Sequence, residues 1–585
     1  MLRASYQTRI FFLGIAMTTG FMLLIWHVRS IQIDRHDELL MKAQKKYTSN
    51  VKSIGIRGSI YDGNRVPAPH LLATSQVTYD ILAIPSRMFS KKDYVINRLS
   101  FILKVDQEML RRRFNSGLAE VVVKNQVERM LVNRLQSMKL PGLRYVESSV
   151  RVYPKNSLLC HVLGFMSHNG TGVAGIEQVY DKYLQPQPGY KKFERARTSH
   201  AVSYLNERQA LDGNNVHLTI LEPIQAIVEE EMDKLMGDRN INPKACYAIM
   251  ANPKTGAIMA ISQRPNFNPN DRSTMKPELY KPRFLSDIFD PGSTMKGVAI
   301  AGALQYNPRL TLGTRYYCEK GIWHYGGFPL RDAGHQYGWL SIQNIIKYSS
   351  NIGTAKAMLD VKGYQYNIFK SFGFGEKTGI NLGSESRGIL PKEKNWSDVS
   401  YTRIPIGQGI SVTPLQMVQA YCALANKGKM MQLRMVDRVT DAKTGEDIKV
   451  FDPEVKSAEV ISKATAFQIV QALKTVTKEG GTALKAAVPG FSVAGKTGTA
   501  QKLIPAVKNE AGRTIQKAYY SNTVHVSSFI GFVPADNPEF VLYIVVDEPQ
   551  HERPHYYGGV CAAPFFRSIS IKTLNYLNIS PEGNE

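Results

Sequence analysis

The sequence predicts a membrane-anchored protein of the α/β (α+β) class with one large C-terminal domain. Three observations lead there. One uncharged apolar run stands near the N-terminus, at residues 10–28. Strand-like segments occur at both ends of a stretch of about 360 residues that starts near residue 211. Helical patterns fill its middle, so its sheet is expected to be closed by segments far apart in the chain.

The length sets the frame. At about 150 residues per domain, 585 residues allow four domains, or fewer and larger ones. Hydrophobic residues at 43% and charged residues at 21% exclude disorder, collagen and a multi-span membrane protein.

The apolar run (IFFLGIAMTTGFMLLIWHV) has 19 residues and no Lys, Arg, Asp or Glu. At about 1.5 Å per residue it covers about 28 Å, enough for one bilayer crossing. Arg3 and Arg9 precede it, and Trp26 lies near its far end, where interfacial aromatics gather. The residues after Trp26 offer no small-x-small cleavage site, which favours an uncleaved anchor over a signal peptide. A short cytoplasmic N-terminus at residues 1–9 and an extracytoplasmic remainder are expected, although Arg29 and Arg35 blunt the charge bias.

Residues 29–210 read as a non-catalytic region of mixed α+β character. A polar helix (RHDELLMKAQKKY) leaves the membrane. Strand-like runs (VTYDILAIP, AEVVVK) then alternate with helical ones (DYVINRLSFILKV, QEMLRRRF). Residues 185–189 and 191–213 read as a hinge. The net charge of +24 is concentrated here, because residues 1–210 hold 31 basic and 15 acidic side chains. Such a surface suits anionic lipid, an acidic polymer or acidic partners, or is simply solvated.

Residues 211–575 form the second pattern, with a tail at 576–585. VHLTI is a strand and PIQAIVEEEMDKLM an amphipathic helix. ACYAIMANPKTGAIMAIS reads as two strands about an Asn-Pro-Lys-Thr-Gly turn. Residues 342–360 and 414–426 are helical, and VHVSSFIGFVPA and FVLYIVVDEP are strands. The five cysteines are scattered and lack C-x-x-C, so no zinc module or disulfide framework is encoded.

Three short motifs carry chemistry. Ser293-Thr294-Met295-Lys296 opens an apolar helical run, and three-residue spacing sets Ser293 and Lys296 on one face. A neutral Lys296 can take the serine proton if burial or a neighbouring cation depresses its pKa. Ser349-Ser350-Asn351 lies between two helical stretches, where Ser349 and Asn351 could project a hydroxyl and an amide into a cleft. Lys496-Thr497-Gly498-Thr499 lies on a strand, where Gly498 would let a substrate backbone approach. Lys496 offers a cation, and Thr497 and Thr499 hydroxyls, to a substrate carboxylate. Each motif alone is weak. In this order they form the set found in β-lactamases and penicillin-binding proteins.

Two further matches are decoys. Residues 490–497 fit G-x-x-x-x-G-K-T, but a phosphate-cradling loop needs a helix starting at its lysine, and this lysine reads as strand. His551-Glu552-Arg553-Pro554-His555 fits H-E-x-x-H, but Pro554 breaks the helix that zinc ligation requires.

With their surroundings, the motifs closely resemble class B penicillin-binding proteins, and among them the division-specific, FtsI-type peptidoglycan transpeptidases. Arg57-Gly58-Ser59-Ile60-Tyr61-Asp62 resembles the family's early "RG-x-I-x-D". Arg151-Val152-Tyr153-Pro154 with His161-Val162-Leu163-Gly164 resembles its "R-x-Y-P … H-x-L-G", and Gly175-Ile176-Glu177 its "GIE". Gly407-Gln408-Gly409 with Thr413-Pro414, Val546-Asp547-Glu548-Pro549, Tyr557-Gly558-Gly559 and Ala562-Ala563-Pro564 match later segments. Departures are Asp290 for the usual Glu, Leu221 at the end of "L-T-I-D", and Asp62-Gly63-Asn64-Arg65 for "DRNG".

The resemblance implies a serine β-lactamase-like transpeptidase domain behind a pedestal, in the cytoplasmic membrane with its catalytic domain on the periplasmic side. It implies that Ser293 attacks the penultimate D-Ala of a peptidoglycan stem peptide and releases the terminal D-Ala. Lys296 is the implied base, and the N–H groups of Ser293 and Thr499 the oxyanion hole. Ser349 would relay a proton to the leaving amine, Asn351 would orient the substrate amide, and Lys496, Thr497 and Thr499 would hold the carboxylate. A second stem's amine would then resolve the acyl-enzyme. β-Lactams would acylate Ser293, and no metal or organic cofactor is implied. Partners would be glycan strands, a membrane glycan polymerase and other division proteins, with no nucleic acid. An elongation-type transpeptidase, a serine β-lactamase, and a β-lactam sensor or division scaffold without turnover are the alternatives.

Overall fold

The computed structural model describes residues 2–167, 169–195, 202–504, 507–508, 514–516, 518–550, 552 and 554–582. They form two compact units. The first comprises residues 1–56, 77–149 and 186–212; the second comprises residues 57–76, 150–185 and 213–585. The packing thus draws residues 57–76 and 150–185 into the second unit, although they precede the hinge in the chain.

In the first unit, helix α1 (Leu2–Arg29) carries the apolar run. The stretch Tyr6–Asp34 is long and apolar enough to cross a membrane. Its apolar side chains, Phe11, Leu13, Phe21 and Leu24 among them, are exposed, as an element whose solvent is lipid should be. The second half of the strand Leu71–Ala83 pairs antiparallel with Val121–Val127, with Tyr79 opposite Val127. Helices Lys92–Leu103, Gln107–Phe114 and Arg129–Ser137 complete this unit's own core of Ile81, Leu99, Leu110, Val123 and Leu135.

The second unit is built on a five-stranded sheet. Strand β1 (Asn215–Leu218) leads into helix α2 (Glu222–Gly237). Strands β2 (Ala245–Ala251) and β3 (Ile258–Arg264) follow as a hairpin. The remaining strands come from the far end of the chain: β4 (Ala494–Ile504), β5 (Tyr519–Val533) and β6 (Phe540–Asp547). The order is β3-β2-β6-β5-β4, antiparallel throughout. Closure of the sheet by distant segments is therefore observed, with β4 left as an edge strand. Every residue of β2, β3 and β6 is buried, which explains their continuous apolar runs.

Helices α3 (Met295–Tyr306), α4 (Ile342–Tyr348), α5 (Asn351–Leu359), α6 (Pro414–Ala425) and α7 (Lys463–Lys474) lie between these strands in sequence. Helix α8 (Ala563–Tyr576) packs on α2 and on the sheet. Helix α6 opens with a capping box from Thr413 and Gln416 and is buried along its whole length against β2, β6 and α7. The stretch 342–360 is not one helix but two, α4 and α5, broken at Ser349 and Ser350.

The early motifs meet in this unit. Glu177 is fully buried and accepts from Arg57 Nε at 2.8 Å and Arg151 Nε at 2.6 Å. Arg57 also pairs with Asp181 at 2.7 Å, and the Tyr153 hydroxyl donates to Glu177 at 3.4 Å. A buried carboxylate is tolerated only with this degree of pairing. All five cysteines are buried and free.

Candidate active site

The nucleophile motif sits where the chain tightens before a buried helix. Gly292, Ser293 and Thr294 form a 3-10 turn that runs directly into α3. Gly292 has a φ of +54°, a conformation that glycine takes without strain. The turn is held from three sides. The Gly292 N–H donates to Gly407 O at 3.1 Å. Thr294 Oγ1 donates to Pro291 O at 2.7 Å, and the Tyr421 hydroxyl of α6 donates to Thr294 O at 2.7 Å.

Lys296 lies one turn on and is fully buried. Its Nζ donates to Ser349 O at 2.5 Å, Asn351 Oδ1 at 2.6 Å and Ser349 Oγ at 3.1 Å. Three acceptors match the three protons of an ammonium. Burial pulls the Lys296 pKa down to about 7, against the opposing pull of Asp332. Among the described residues the Ser293 hydroxyl makes no hydrogen bond.

The second motif works through its helix break. Ser349 caps the C-terminus of α4 with a φ of +60°, a left-handed conformation that costs a non-glycine residue about 1 kcal/mol. Ser350 then caps the N-terminus of α5, its Oγ accepting from Gly353 N at 3.0 Å. Ser349 is thereby turned towards both lysines. Its Oγ stands 3.1 Å from Lys296 Nζ and 2.9 Å from Lys496 Nζ.

Lys496 is fully buried on β4. Burial first, and the like charge of Lys296 second, press its pKa well below the usual lysine range. Its Nζ also donates to Thr497 O at 3.2 Å and Thr497 Oγ1 at 3.3 Å. Thr482 shares a hydrogen bond with Thr497 at 3.1 Å. Thr499 Oγ1 accepts from Gly558 N at 3.1 Å, so the Tyr557-Gly558-Gly559 segment rests on this strand.

Gly498 is also required by packing. A Cβ there would lie 2.5 Å from Ser528 Oγ, 3.0 Å from Thr294 Cγ2 and 3.1 Å from Pro291 O. The space its missing side chain leaves is filled by the nucleophile's own turn and β5, so this glycine lets β4 pack against Ser293's neighbours. Gly558 is similarly confined, since its Cβ would meet Ser528 O at 2.2 Å and Gly498 O at 2.4 Å.

These groups border a cleft of ≈ 760 Å³ whose lining includes Ser293, Ser349, Asn351, Thr497 and Thr499. Lys296 and Lys496 lie beneath that lining, and Gly498 behind it. Two aromatic sets flank the cleft. His335, Tyr337 and Tyr348 stack at 5.1 and 5.5 Å, while His525 stacks on Tyr556 at 4.4 Å and Tyr557 lies tilted against Tyr556 at 4.6 Å. Sequence reasoning named Tyr557 within a motif but missed Asp332, the other rings and the contact of Gly407 with Gly292. None has a local sequence signal, because each depends on segments brought together by the fold.

The phosphate-loop decoy is excluded, since Lys496 lies within strand β4 and no helix begins there. Of the second decoy, His551 and Arg553 lie outside the described residues. Among the described residues no cluster of His, Cys, Asp and Glu is arranged to hold a metal ion.

The family model "Penicillin binding protein transpeptidase domain" matches residues 246–570. That stretch covers more than half of the chain. This chain belongs to the penicillin-binding protein transpeptidases. A second model, "Penicillin-binding Protein dimerisation domain", matches residues 52–218, and the pairing makes this a class B penicillin-binding protein. The Bacillus subtilis "Stage V sporulation protein D" is 30% identical over 592 residues, covering 99% of this chain and 87% of that one. The Escherichia coli "Peptidoglycan D,D-transpeptidase FtsI" is 28% identical over 481 residues, covering 82% and 76%. The solved Penicillin Binding Protein 2X from Streptococcus thermophilus shares the fold with a TM-score of 0.73 at 22% identity, covering 92% of this chain and 83% of that one. As a penicillin-binding protein, the chain carries its S-x-x-K, S-x-N and K-T-G motifs in one cleft.

Proposed function

We propose that this protein is a septal peptidoglycan D,D-transpeptidase anchored by α1, with its second unit acting outside the cytoplasmic membrane. The observation that carries the chemistry is Ser349 Oγ held between two fully buried lysines, 2.9 and 3.1 Å away, beside the cleft that exposes Ser293. Two buried ammonium groups this close cannot both stay charged without a counter-ion. A substrate carboxylate beside Lys496, Thr497 and Thr499 adds a counter-ion on the Lys496 side and keeps the proton on Lys496, leaving Lys296 neutral.

Neutral Lys296 takes the Ser293 proton as Oγ bonds to the penultimate D-Ala carbonyl. The N–H groups of Ser293 and Thr499 receive the oxyanion. Collapse breaks the peptide bond, and Ser349 passes a proton to the leaving amine of the terminal D-Ala. Asn351 orients the substrate amide. The amine of a second stem then attacks the acyl-enzyme, its proton leaves through the same groups, and Ser293 is restored. The edge position of β4 leaves one side of that strand open for a peptide to add as a further strand.

The division role is supported by the motif resemblance and by the FtsI relatives. The sporulation relative, which matches 99% of this chain, favours a second reading in which the same chemistry serves spore formation. Depletion of the protein in its host separates them. Filamentous cells without septa support the septal role, and normal division with defective spores supports the other. In vitro, cross-linked dimers formed from a pentapeptide-bearing glycan, with free D-Ala released, test the reaction. Their absence under conditions where Ser293 is acylated by penicillin would leave a sensor or scaffold.

A further inference from the structure

Asp332 is a cleft residue that no motif contains. It follows the strand Phe328–Arg331 and is 7% exposed. Its Oδ1 accepts from Asn351 N at 2.6 Å and Ile352 N at 3.1 Å, and its Oδ2 from Ser350 Oγ at 2.8 Å. The residue before it acts on the same side chain, because Asn351 Nδ2 donates to Arg331 O at 2.7 Å. With its nitrogen tied to Arg331, the Asn351 amide has one orientation, and its oxygen faces Lys296 Nζ at 2.6 Å. The loop is itself fixed, since Asp332 N donates to Gly321 O at 3.0 Å.

We propose that Asp332 is a positioning residue for acylation: its carboxylate locks the Ser349–Ser350–Asn351 break against Lys296 and supplies the negative charge that Lys296 faces. This deepens the transpeptidase reading above and rests on it. The geometry supports two separable tasks. One is mechanical, because three hydrogen bonds fix the start of the helix whose first residue is Asn351. The other is electrostatic. Among the described residues Asp332 is the carboxylate whose field reaches Lys296, and Lys496 is the facing cation. Ser349 and Asn351 present neutral groups to it, and the Tyr421 hydroxyl is spent on Thr294 O. An ordinary capping aspartate would perform the first task alone.

The sign of the second task follows from the charge. Asp332 favours the protonated form of Lys296, so its removal lets Lys296 lose its proton at lower pH. Asp332→Asn keeps the shape. Its amide oxygen can accept from the N–H groups of Asn351 and Ile352, while its amide nitrogen donates to Ser350 Oγ, whose own proton turns to Cys318 Sγ at 3.5 Å. The rate of Ser293 acylation by a fluorescent penicillin is measured from pH 5 to 9 in the full-length, detergent-solubilised protein. The account expects the acidic limb of Asp332→Asn to move down by about one unit, the low end of what one opposite charge does. Asp332→Glu keeps the charge but displaces the helix start, so its limb stays in place while its plateau rate falls. Ser350→Ala removes one hydrogen bond and no charge, and its limb also stays.

An Asp332→Asn limb that coincides with the wild-type limb overturns the proposal, whatever happens to the plateau. So does an equal downward shift in Ser350→Ala. Should Asp332→Asn fail to fold, as read by its melting curve, a limb of Asp332→Glu that moves down with that of Ser350→Ala overturns it too. A wild-type protein that penicillin does not acylate at any pH defeats the transpeptidase reading instead, so the two failures are distinguishable.

Discussion

Gly407→Ala tests how the nucleophile is aimed without touching any reacting group. Gly407 has a φ of +80°, and a Cβ added there would lie 2.2 Å from Gly292 O, 2.5 Å from Gly292 N and 2.7 Å from Gly292 C. All three are backbone atoms of the turn that carries Ser293, so no side-chain rotation relieves the overlap. Reaching a tolerable 3.0 Å from the nearest atom requires about 0.8 Å of backbone movement. The left-handed φ adds about 1–2 kcal/mol for alanine, and overpacking about 1–3 kcal/mol, so a loss of about 2–5 kcal/mol is expected. A displacement near 1 Å at a nucleophile costs about 100-fold in rate. The assay is the second-order rate of acylation by a fluorescent penicillin, with a melting curve taken in parallel. Acylation within threefold of wild type, in a protein that melts normally, refutes the buttressing role of this glycine.

Four other outcomes are expected. Ser349→Ala removes the hydroxyl between the two lysines, and acylation should fall by about 10²- to 10⁴-fold with the melting temperature little changed. Wild-type acylation should decline as pH falls through about 7, because Lys296, with its pKa near 7, is then protonated and cannot accept the serine proton. Stopped-flow acylation across pH checks this, and a flat rate down to pH 5 contradicts it. Glu177→Ala leaves the buried Arg151 without its carboxylate, and Arg57 with Asp181 alone, and should cost about 3–5 kcal/mol, read by denaturant unfolding. Gly498→Ala should slow acylation less than Gly407→Ala, since its Cβ overlaps only the Ser528 hydroxyl of β5, at 2.5 Å, and crowds Thr294 and Pro291 beside Ser293 at 3.0 and 3.1 Å.

The parts of this site that were legible in the sequence are those whose geometry is local. Three-residue spacing at the start of a helix sets Ser293 and Lys296 on one face, and a strand pattern puts Lys496 on a strand. The break at Ser349 was half visible. The motif marked a junction, yet the helical pattern of residues 342–360 runs through it, and the left-handed Ser349 with the extended Ser350 separates α4 from α5. The packing role of Gly498 was not visible, because a glycine in sequence does not say which neighbour needs the space. Here that neighbour is the nucleophile's turn.

What the sequence could not display is contact between distant segments. Asp332 reaches Ser350 and Asn351 only because a small hairpin folds over the start of α5. Gly407 meets Gly292, and Tyr421 meets Thr294, by the packing of the unit as a whole. The same holds for Glu177, whose two arginines lie 120 and 26 residues away in the chain. Closure of the sheet by distant strands was foreseeable, since strand patterns stood at both ends of one domain with helical patterns between them.

Peptide mass spectrometry of the β-lactam-treated protein locates the acylated residue. The account predicts one stoichiometric acyl adduct, on the peptide containing Ser293, that is absent in Ser293→Ala. An adduct on another residue, or none on a folded protein, contradicts it.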